Sequence, residues 1–352
     1  MTIKSEFSKK IIHWYNIHGR KTLPWQIKKT PYTIWVSEIM LQQTQIIRVL
    51  PFFNRFINKF PNIITLAKSE LNTVLHVWSG LGYYTRAHNL YKTAKIIVNK
   101  YYAVFPADFS ILITLPGIGR STAGAILSLA LEKSHPILDS NVKRILTRYH
   151  IIDGCPKKNK IEKKLWIIID EVTPHNNISK FNQGLMDLGE MICTIKNPKC
   201  PICPLNTTCQ ANLNNIVHKY PNKQTQKTTF KKNLWLLILQ YKNTVWIEQC
   251  LSGKIWKGLF CFPQFKTQNN LNHWLIHHNL NPKQYTILPL LQHTLSNYHI
   301  YITPIIFTLN KILHLTTENK KNTGLWFDLI QPQTIGFPQP MLKLLQQINY
   351  LK

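Results

Sequence analysis

The sequence predicts two domains of different class, an all-α domain followed by an α+β domain. Apolar residues recur at helical spacing before position 219, and strand-like apolar runs follow position 233. The segment between these positions is polar and lysine-rich and has no apolar periodicity, which is typical of a linker. We therefore predict an all-α domain over residues 1–218, a linker over 219–233 and an α+β domain over 234–352.

The first part of the chain has the apolar pattern of a series of helices. Phe7, Ile11, Trp14 and Tyr15 share one helical face, and a second helix opens at Pro31, a residue favoured in a first turn. Short segments containing Gly or Pro separate further helices. These are predicted over residues 71–78, 84–101, 120–131, 140–150, 160–172 and 181–193.

The second part of the chain changes to a strand-like period. We predict strands over residues 233–241, 244–248, 287–291, 298–309 and 324–328, and helices over 270–278 and 340–347. A mixture of strands and helices in this order indicates an α+β domain that is not a repeat of the first.

The charge of the chain indicates a polyanionic partner. Its 43 basic and 15 acidic residues give a formal net charge of +28, and nucleic acid is the simplest partner for such a surface. Part of this excess can instead reflect the Lys-, Asn- and Ile-rich composition typical of AT-rich genomes. The first ten residues lack the apolar stretch of a signal peptide, and no apolar run is long enough to span a bilayer. We therefore expect a cytoplasmic protein without a membrane partner.

Four cysteines within seventeen residues form a candidate ligand set. Cys193, Cys200, Cys203 and Cys209 are separated by six, two and five residues. A zinc site usually has two close pairs of ligands, whereas this run has one, so the spacing favours an iron–sulfur cluster over zinc, which stays the alternative. A disulfide framework is disfavoured, because the other three cysteines are scattered and odd in number.

A glycine-rich turn precedes one of the predicted helices. It has the sequence Leu-Pro-Gly-Ile-Gly over residues 115–119 and leads into a helix rich in small residues. Gly117 and Gly119 allow the backbone to approach a phosphate closely, and the amides at the start of the next helix point their positive end at it. Such a hairpin binds the nucleic-acid backbone without recognising sequence. An ordinary connection between two helices is the alternative.

The hairpin, Asp139 some twenty residues later and the four-cysteine loop together resemble the helix-hairpin-helix DNA glycosylases typified by endonuclease III. The resemblance covers roughly the first 220 residues. Four segments resemble the adenine-specific, MutY-type branch of that family: residues 23–25 (Leu-Pro-Trp), 35–45 (Trp-Val-Ser-Glu-Ile-Met-Leu-Gln-Gln-Thr-Gln), 80–84 (Gly-Leu-Gly-Tyr-Tyr) and 136–144 (Pro-Ile-Leu-Asp-Ser-Asn-Val-Lys-Arg). The resemblance implies a 4Fe-4S iron–sulfur cluster on the four cysteines and a monomer that acts on double-stranded DNA containing A:8-oxoguanine or A:G mispairs, associated with the nucleoid when bound to DNA.

Two carboxylates are the candidate catalytic groups. Cleavage of an N-glycosidic bond passes through an oxocarbenium-like transition state, which needs an acid for the leaving base and an anion near the sugar. Glu38 lies among Trp35, Ile39 and Leu41, where a partly desolvated carboxyl group can keep its proton near neutral pH. Asp139 heads a predicted helix and is expected to stay ionised. The alternatives are a structural salt bridge for Glu38 and a helix N-cap for Asp139.

The resemblance also implies the mode of reaction and of DNA binding. Bifunctional relatives have a lysine that forms a Schiff base where this chain has Ser121, so a monofunctional enzyme that activates water is expected. A base in a duplex must be flipped out before it can react. Gln42 and Tyr83 resemble the residues that fill the resulting gap, with core packing as the alternative for Tyr83. By the same resemblance Ser121 and Asn141 contact DNA, and the adenine pocket is lined by Trp25, Leu41 and Gln183.

The second domain resembles the Nudix-like C-terminal domain of the same family. The similarity is clearest at residues 252–253 (Ser-Gly) and 256–265 (Trp-Lys-Gly-Leu-Phe-Cys-Phe-Pro-Gln-Phe). Only three acidic residues follow position 226, too few and too scattered for the Mg²⁺-binding helix of a Nudix hydrolase. The domain is therefore expected to recognise the 8-oxoguanine strand through Ser296.

Two positions depart from the family pattern. The family's Phe-Ser-His recognition loop is Leu295-Ser296-Asn297 here, so weaker discrimination of 8-oxoguanine from guanine is expected. Ser140 replaces the usual glycine after Asp139 and adds a side chain beside this carboxylate. The remaining alternatives for function are a bifunctional endonuclease III-like glycosylase with lyase activity and a non-catalytic DNA-binding protein with a structural metal loop.

Overall fold

The structure is a computed structural model that describes residues 3–222, 229–250, 255–295, 298–315 and 324–350. By the density of internal contacts the chain forms two compact units: Met1–Lys68 with Asn89–Thr225, and Ser69–His88 with Gln226–Lys352. The division near residue 225 falls within the predicted linker. The assignment of residues 69–88 to the second unit was not anticipated from the sequence. In the described part of the chain, no helix is long and apolar enough to cross a membrane.

Up to residue 222 the described chain is helical and contains no strand. Its α-helices are α1 (Ile3–His18), α2 (Pro24–Ile27), α3 (Pro31–Leu41), α4 (Ile46–Lys59), α5 (Ile63–Lys68), α6 (Leu71–Trp78), α7 (Thr85–Lys100), α8 (Phe109–Leu112), α9 (Arg120–Ala125), α10 (Ser140–His150), α11 (Asn159–Val172), α12 (Ile178–Met191) and α13 (Gln210–Leu213). A π-helical turn, Ile126–Ala130, continues α9, and 3₁₀ turns occupy Cys200–Ile202 and Val217–Lys219.

One hydrophobic core cluster of the first unit is formed mainly by α1, α10, α11 and α12. Phe7, Ile11, Trp14 and Tyr15 are all buried in it, as their spacing predicts. The partly buried side chains of Cys193, Cys203 and Cys209 pack against the same core. The helical core therefore extends directly to the four-cysteine loop.

The second part of the chain is a mixed sheet with two helices. Its elements are β1 (Phe230–Tyr241), β2 (Thr244–Gln249), β3 (Phe260–Cys261), β4 (Gln264–Phe265), α14 (Gln268–His277), β5 (Thr286–Ile287), β6 (Leu291–Leu295), β7 (Tyr298–Thr308), β8 (Gly324–Asp328) and α15 (Gln339–Tyr350). The two long strands, β1 and β7, are parallel with Phe230 opposite Tyr298, and β2 is antiparallel to both β1 and β8. The described residues thus confirm the predicted α+β class.

Five predicted elements differ from the structure by three residues or more. The strand predicted over residues 233–241 begins at Phe230, within the predicted linker, and the helix predicted over residues 340–347 continues to Tyr350. The strand predicted over residues 287–291 is wrong: β5 ends at Ile287 and β6 begins at Leu291, because Pro289 between them has no N–H to donate to a ladder. The helix predicted over residues 181–193 begins earlier, at Ile178, after the left-handed Asn177 (φ 58°). The helix predicted over residues 120–131 is α-helical only to Ala125.

Candidate active site

The principal cavity of the first unit measures about 510 Å³, within the range of about 300 to 1,000 Å³ that is usual for small-molecule sites. Six of the residues predicted to act on the base or the DNA line this cavity: Trp25, Glu38, Leu41, Asp139, Asn141 and Gln183. They come from α2, α3, α12 and the start of α10, so the fold brings together residues that are up to 158 positions apart in sequence.

Helix α3 presents Glu38 to the cavity. The helix begins at Pro31, and the Thr30 hydroxyl group caps it by accepting a hydrogen bond from the Thr33 amide at 3.1 Å. Trp35 and Ile39 on the same helix are fully buried, whereas the Glu38 side chain is only partly accessible. An apolar helix therefore carries one carboxyl group to the cavity wall.

The pKa of Glu38 is raised to about 8, first by burial and second by the negative charge of Asp139. Among the described residues, no cation or hydrogen-bond donor lowers it. The ion pairs in this part of the chain do not include Glu38, so the structure gives no support to the salt-bridge alternative. At neutral pH the group holds a proton that it can donate.

Asp139 is both the N-cap of α10 and a wall residue of the same cavity. Its Oδ1 accepts a hydrogen bond from the Val142 amide at 2.8 Å, and its Oδ2 accepts one from Asn141 Nδ2 at 3.2 Å. Burial raises the pKa of Asp139, but these hydrogen bonds and the charge of Arg144 oppose that rise. Since only Asp139 has partners that favour its anion, the pair holds its proton on Glu38 and its charge on Asp139.

Arg144 connects Asp139 to the four-cysteine loop, a role that sequence reasoning missed. Its Nη2 donates to Asn141 Oδ1 at 2.8 Å and to the Gly189 carbonyl oxygen at 2.7 Å, and its Nε donates to the Cys193 carbonyl oxygen at 2.7 Å. The side chain is 5% exposed. A continuous set of hydrogen bonds therefore runs from Cys193 through Arg144 and Asn141 to Asp139.

The ion pair between Arg20, which lines the cavity, and the buried Asp187 was also missed. The fully buried Asp187 carboxylate accepts from Arg20 Nη2 at 2.6 Å and from Gln183 Nε2 at 3.1 Å. A carboxylate only accepts hydrogen bonds, so the Gln183 amino group faces Asp187 and its carbonyl oxygen is left to contact a base. No sequence motif links positions 20 and 187, which only the fold brings together.

Ser121 lies next to the segment that leads to Asp139. Its Oγ donates to the Leu138 carbonyl oxygen at 3.1 Å and accepts from the Leu138 amide at 3.3 Å. The hydroxyl group thus fixes the backbone of the residue before Asp139. Ser121 does not line the cavity, and its predicted contact with DNA stays a prediction.

The glycine-rich turn has the geometry that its sequence predicts. Gly117 has a φ of +80°, and a Cβ there would lie 2.9 Å from Asn89 Cβ. Both the backbone conformation and the lack of space therefore disfavour a larger residue at this position. Gly119 directly precedes α9, and a Cβ there would meet nothing within 4 Å. The turn therefore leaves its backbone open to an approaching group at Gly119.

The two residues expected to fill a gap in the duplex are both exposed. Gln42 caps the C-terminus of α3, beside the left-handed Gln43 (φ 57°). Tyr83, in the second unit, is 46% exposed and has the Arg86 guanidinium group 5.2 Å from its ring centroid. Core packing therefore does not describe Tyr83. Ser296 and Asn297 lie outside the described residues, as do Ser252 and Gly253.

The four predicted ligand cysteines surround one small cavity. Cys193, Cys200, Cys203 and Cys209 line a space of about 20 Å³, and none forms a disulfide. Burial raises the pKa of the Cys203 thiol to about 12, and Arg148 Nη1 donates to Cys193 Sγ at 3.3 Å. Within the described ranges, no three such groups converge closely enough to hold a single metal ion. The loop therefore places four sulfur donors around one small cavity, but these donors do not converge on a single point.

Comparisons with known proteins assign both halves of the chain. Residues 36–171 match the HhH-GPD superfamily of base excision DNA repair proteins, and residues 234–347 match the NUDIX domain family. The adenine DNA glycosylase of Buchnera aphidicola subsp. Acyrthosiphon pisum is 49% identical over 343 residues, which is 97% of each chain. That of Homo sapiens is 34% identical over 214 residues, 58% of this chain and 39% of the human one.

Solved structures support the same assignment for the helical part. A thermostable thymine-DNA glycosylase superposes with a TM-score of 0.54 at 27% identity, covering 60% of this chain and 97% of that one. An endonuclease III trapped covalently on DNA superposes with a TM-score of 0.52 at 20% identity, covering 61% of this chain and all of that one, and shows the shared fold. Because an adenine DNA glycosylase is 49% identical to this chain over 97% of both chains, the chain belongs to the adenine DNA glycosylase family of base excision repair enzymes.

Proposed function

We propose that this glycosylase hydrolyses the N-glycosidic bond of adenine mispaired with 8-oxoguanine or guanine, using Glu38 as the acid and Asp139 as the anion. The observation that carries this proposal is the pair of carboxyl groups in one cavity, one with its pKa raised to about 8 and the other accepting two hydrogen bonds that favour its anion. Two such groups divide acid and electrostatic roles between them.

The reaction follows from their protonation states. Glu38 donates its proton to a ring nitrogen of the flipped adenine, which makes the base a better leaving group. As the C1′–N9 bond breaks, its electrons stay with the base and positive charge develops on the sugar, where the Asp139 carboxylate opposes it. Water adds to C1′ and gives its proton to the Glu38 carboxylate, which restores the acid and leaves an abasic site and free adenine.

The absence of an amine at position 121 supports a monofunctional enzyme. A Schiff base with the sugar needs a primary amine, and the Ser121 hydroxyl group is engaged with both polar groups of the Leu138 backbone. Ser121 therefore supports the backbone that leads to Asp139. A bifunctional lyase reaction at this position has no nucleophile.

We infer that the remaining predicted residues bind the DNA. The net charge of +28 supports phosphate binding, and the open backbone at Gly119 suits a phosphate at the hairpin. The exposure of Gln42 and Tyr83 suits insertion into the gap that base flipping leaves. Ser296 would contact the 8-oxoguanine strand. A duplex with one target base needs only one copy of the chain, so we infer a monomer acting in the cytoplasm, at the nucleoid.

The deciding experiment is adenine release from a duplex with a single A opposite 8-oxoguanine. We expect free adenine and an abasic strand that stays intact until it is treated with alkali. Borohydride should trap no covalent complex, because the chain has no amine at position 121. Strand cleavage without alkali, or binding without release of adenine, would favour the lyase or the non-catalytic alternative.

The pKa of Glu38 predicts the pH dependence of base release. The catalytic form carries a proton on Glu38, so the single-turnover rate should be high below about pH 8 and fall as pH rises through that value. Above it the fall should approach about tenfold per pH unit, as expected for loss of one proton. The check is a single-turnover pH profile at saturating enzyme, and a rate that still rises at pH 9 would contradict the assignment.

We infer that the four-cysteine loop holds a 4Fe-4S cluster. Four thiols around one cavity supply one ligand for each corner of a cubane, and the Arg148 guanidinium group suits the negative charge of the bound thiolates. When bound, the cluster would hold this loop rigid. Arg144 donates a hydrogen bond to the Cys193 carbonyl oxygen and would therefore connect the rigid loop to the active site.

The cofactor has a direct test. Protein purified anaerobically should be brown and contain about four irons per chain. The Cys200→Ser variant should lose iron and bind DNA more weakly, because the loop loses one of its ligands. Cys250→Ser, at a buried cysteine of the second domain, is the matched control and should keep its iron. One tightly bound zinc and no iron would contradict the prediction.

A further inference from the structure

Residues 335–337 form a short strap within the second compact unit. The strap lies against α6 and the residues that follow it, far away in sequence. His76 Nδ1 bonds the Ile335 carbonyl oxygen at 3.0 Å, and the Phe337 amide donates to Ser79 Oγ at 3.1 Å. The strap is therefore tied by its backbone to the segment between α6 and α7.

The packing of the strap leaves no room for movement towards α6. A Cβ at Gly336 would lie 2.6 Å from Leu75 Cβ, so the strap backbone rests directly on the helix. On its other side the Gly336 carbonyl oxygen accepts from the Phe260 amide at 2.9 Å. Phe337 is 4% exposed and packs edge-on against Phe327, with ring centroids 5.1 Å apart. The strap is thus anchored in the α+β fold itself.

The hydroxyl group of Tyr84 joins the strap to a turn. It donates to the Phe337 carbonyl oxygen at 2.7 Å and accepts from the Gly80 amide at 3.2 Å. The Tyr84 hydroxyl oxygen therefore hydrogen-bonds one backbone group of the strap and one of the turn. Its removal would leave both the Gly80 N–H and the Phe337 C=O without this partner.

The turn that Tyr84 supports is strained. Gly80 and Gly82 have φ values of 96° and 83°, and Tyr83 itself has a φ of 51°. Left-handed backbone is unusual for an aromatic residue and persists only where the surroundings impose it. Tyr83, the residue with the unusual backbone, is also the residue of this turn whose large side chain is exposed.

Arg86 forms a cation–π contact with the ring of Tyr83. The Arg86 guanidinium group lies between the rings of Trp78 and Tyr83, at 5.6 Å and 5.2 Å from their centroids. Arg86 Nη2 and Trp78 Nε1 both donate to the Gly82 carbonyl oxygen, at 3.2 Å and 3.1 Å. Arg86 is 8% exposed and therefore internal, whereas Tyr83 is 46% exposed.

We propose that the strap positions Tyr83 for insertion into the duplex, with the Tyr84 hydroxyl group as the link between them. The inference rests on the proposed function, in which Tyr83 inserts beside the oxidised guanine. It gives the α+β domain a second task besides contact with the 8-oxoguanine strand. Tyr84 is a positioning residue in this scheme, because it acts only through the turn that presents Tyr83.

A double-mutant cycle tests this link. Tyr84→Phe keeps the ring and removes the oxygen, Tyr83→Ala removes the inserting ring, and the third variant carries both changes. The readout is the preference for A opposite 8-oxoguanine over A opposite G, measured as a ratio of single-turnover rates at fixed salt, with enzyme in excess of the DNA but below saturation. We expect Tyr84→Phe to reduce this preference about five- to tenfold, the effect of about 1 kcal/mol or slightly more from a broken hydrogen bond.

The decisive result is the double variant. If Tyr84 acts through Tyr83, Tyr84→Phe should change the preference no further once Tyr83 is alanine. Ser79→Ala, which removes the acceptor of the Phe337 amide, should behave like Tyr84→Phe. Tyr102→Phe is the matched control, because Tyr102 is 89% exposed, and it should keep the full preference.

Each failure has a separate signature. Losses that multiply in the double variant, or an unchanged preference in Tyr84→Phe when Tyr83→Ala is impaired, would overturn the role of the strap alone. An unimpaired Tyr83→Ala would overturn the insertion of Tyr83 and the strap's role together. A wild-type protein that releases no adenine would overturn the proposed function itself.

Discussion

The Glu38→Gln variant should lose base release by at least about a thousandfold while it still binds the mispaired duplex, because glutamine has no acidic proton to give to the adenine. The surroundings of Glu38 make this loss selective. Its carboxyl group is already neutral at pH 7, with a pKa raised to about 8, so the neutral amide changes neither the charge nor the size of the cavity wall. Single-turnover kinetics and mispair affinity at the same salt concentration measure the two effects separately.

Two controls separate chemistry from folding. Glu132→Gln, the same change at an exposed carboxylate away from the cavity, should release adenine at the wild-type rate. Because the folded protein raises the pKa of Glu38 above 4.5, its proton contributes stability that is fully present below pH 4.5 and lost as pH rises through about 8. Glu38→Gln should therefore be at least as stable as the wild type at pH 9. A Glu38→Gln variant that keeps more than a tenth of the wild-type rate of adenine release would show that Glu38 is not the acid.

The Asp139→Asn variant should slow base release by about a hundredfold to a thousandfold, because the developing positive charge on the sugar loses its counter-charge. The substitution is mild for the fold, since asparagine caps a helix about as well as aspartate and can still accept from the Val142 amide. The loss should appear in the chemical step under single-turnover conditions, with little change in affinity for the duplex.

Asp108→Asn is the matched control for this change. Asp108 caps α8, where its Oδ1 accepts from the Ile111 amide at 3.0 Å, but it lies outside the active-site cavity. Both variants therefore lose one N-cap charge, and only Asp139→Asn should lose activity. Equal rates of adenine release in the two variants would show that Asp139 acts only as a helix N-cap. A pH profile of Asp139→Asn should still fall at high pH, because that fall belongs to Glu38, but at a lower pH than in the wild type, because the charge that helps to raise the pKa of Glu38 is gone.

The course of the chain was largely predictable where local signals agree. The helices over residues 71–78 and 140–150 have the predicted bounds, and in the second of them the apolar spacing and the Asp139 N-cap indicate the same start. Helix α4 was missed because Pro51 lies inside it, and proline is ordinarily evidence against a helix interior. The two short strands β3 and β4 were also missed, because two residues carry no detectable period.

The sequence by itself determined the chemistry this protein can perform: a carboxyl group on an apolar helix, an aspartate at a helix start, a glycine turn and four cysteines in one loop. These are local patterns, and residue type and spacing define them. Only the tertiary structure decided how they cooperate. The proton is on Glu38 because burial beside Asp139 raises its pKa. Arg144 and Asn141 join Cys193 to Asp139, and the Tyr84 hydroxyl group joins Phe337 to the turn that contains Tyr83. Such relations depend on desolvation and on contacts between residues far apart in the chain, which no local pattern contains.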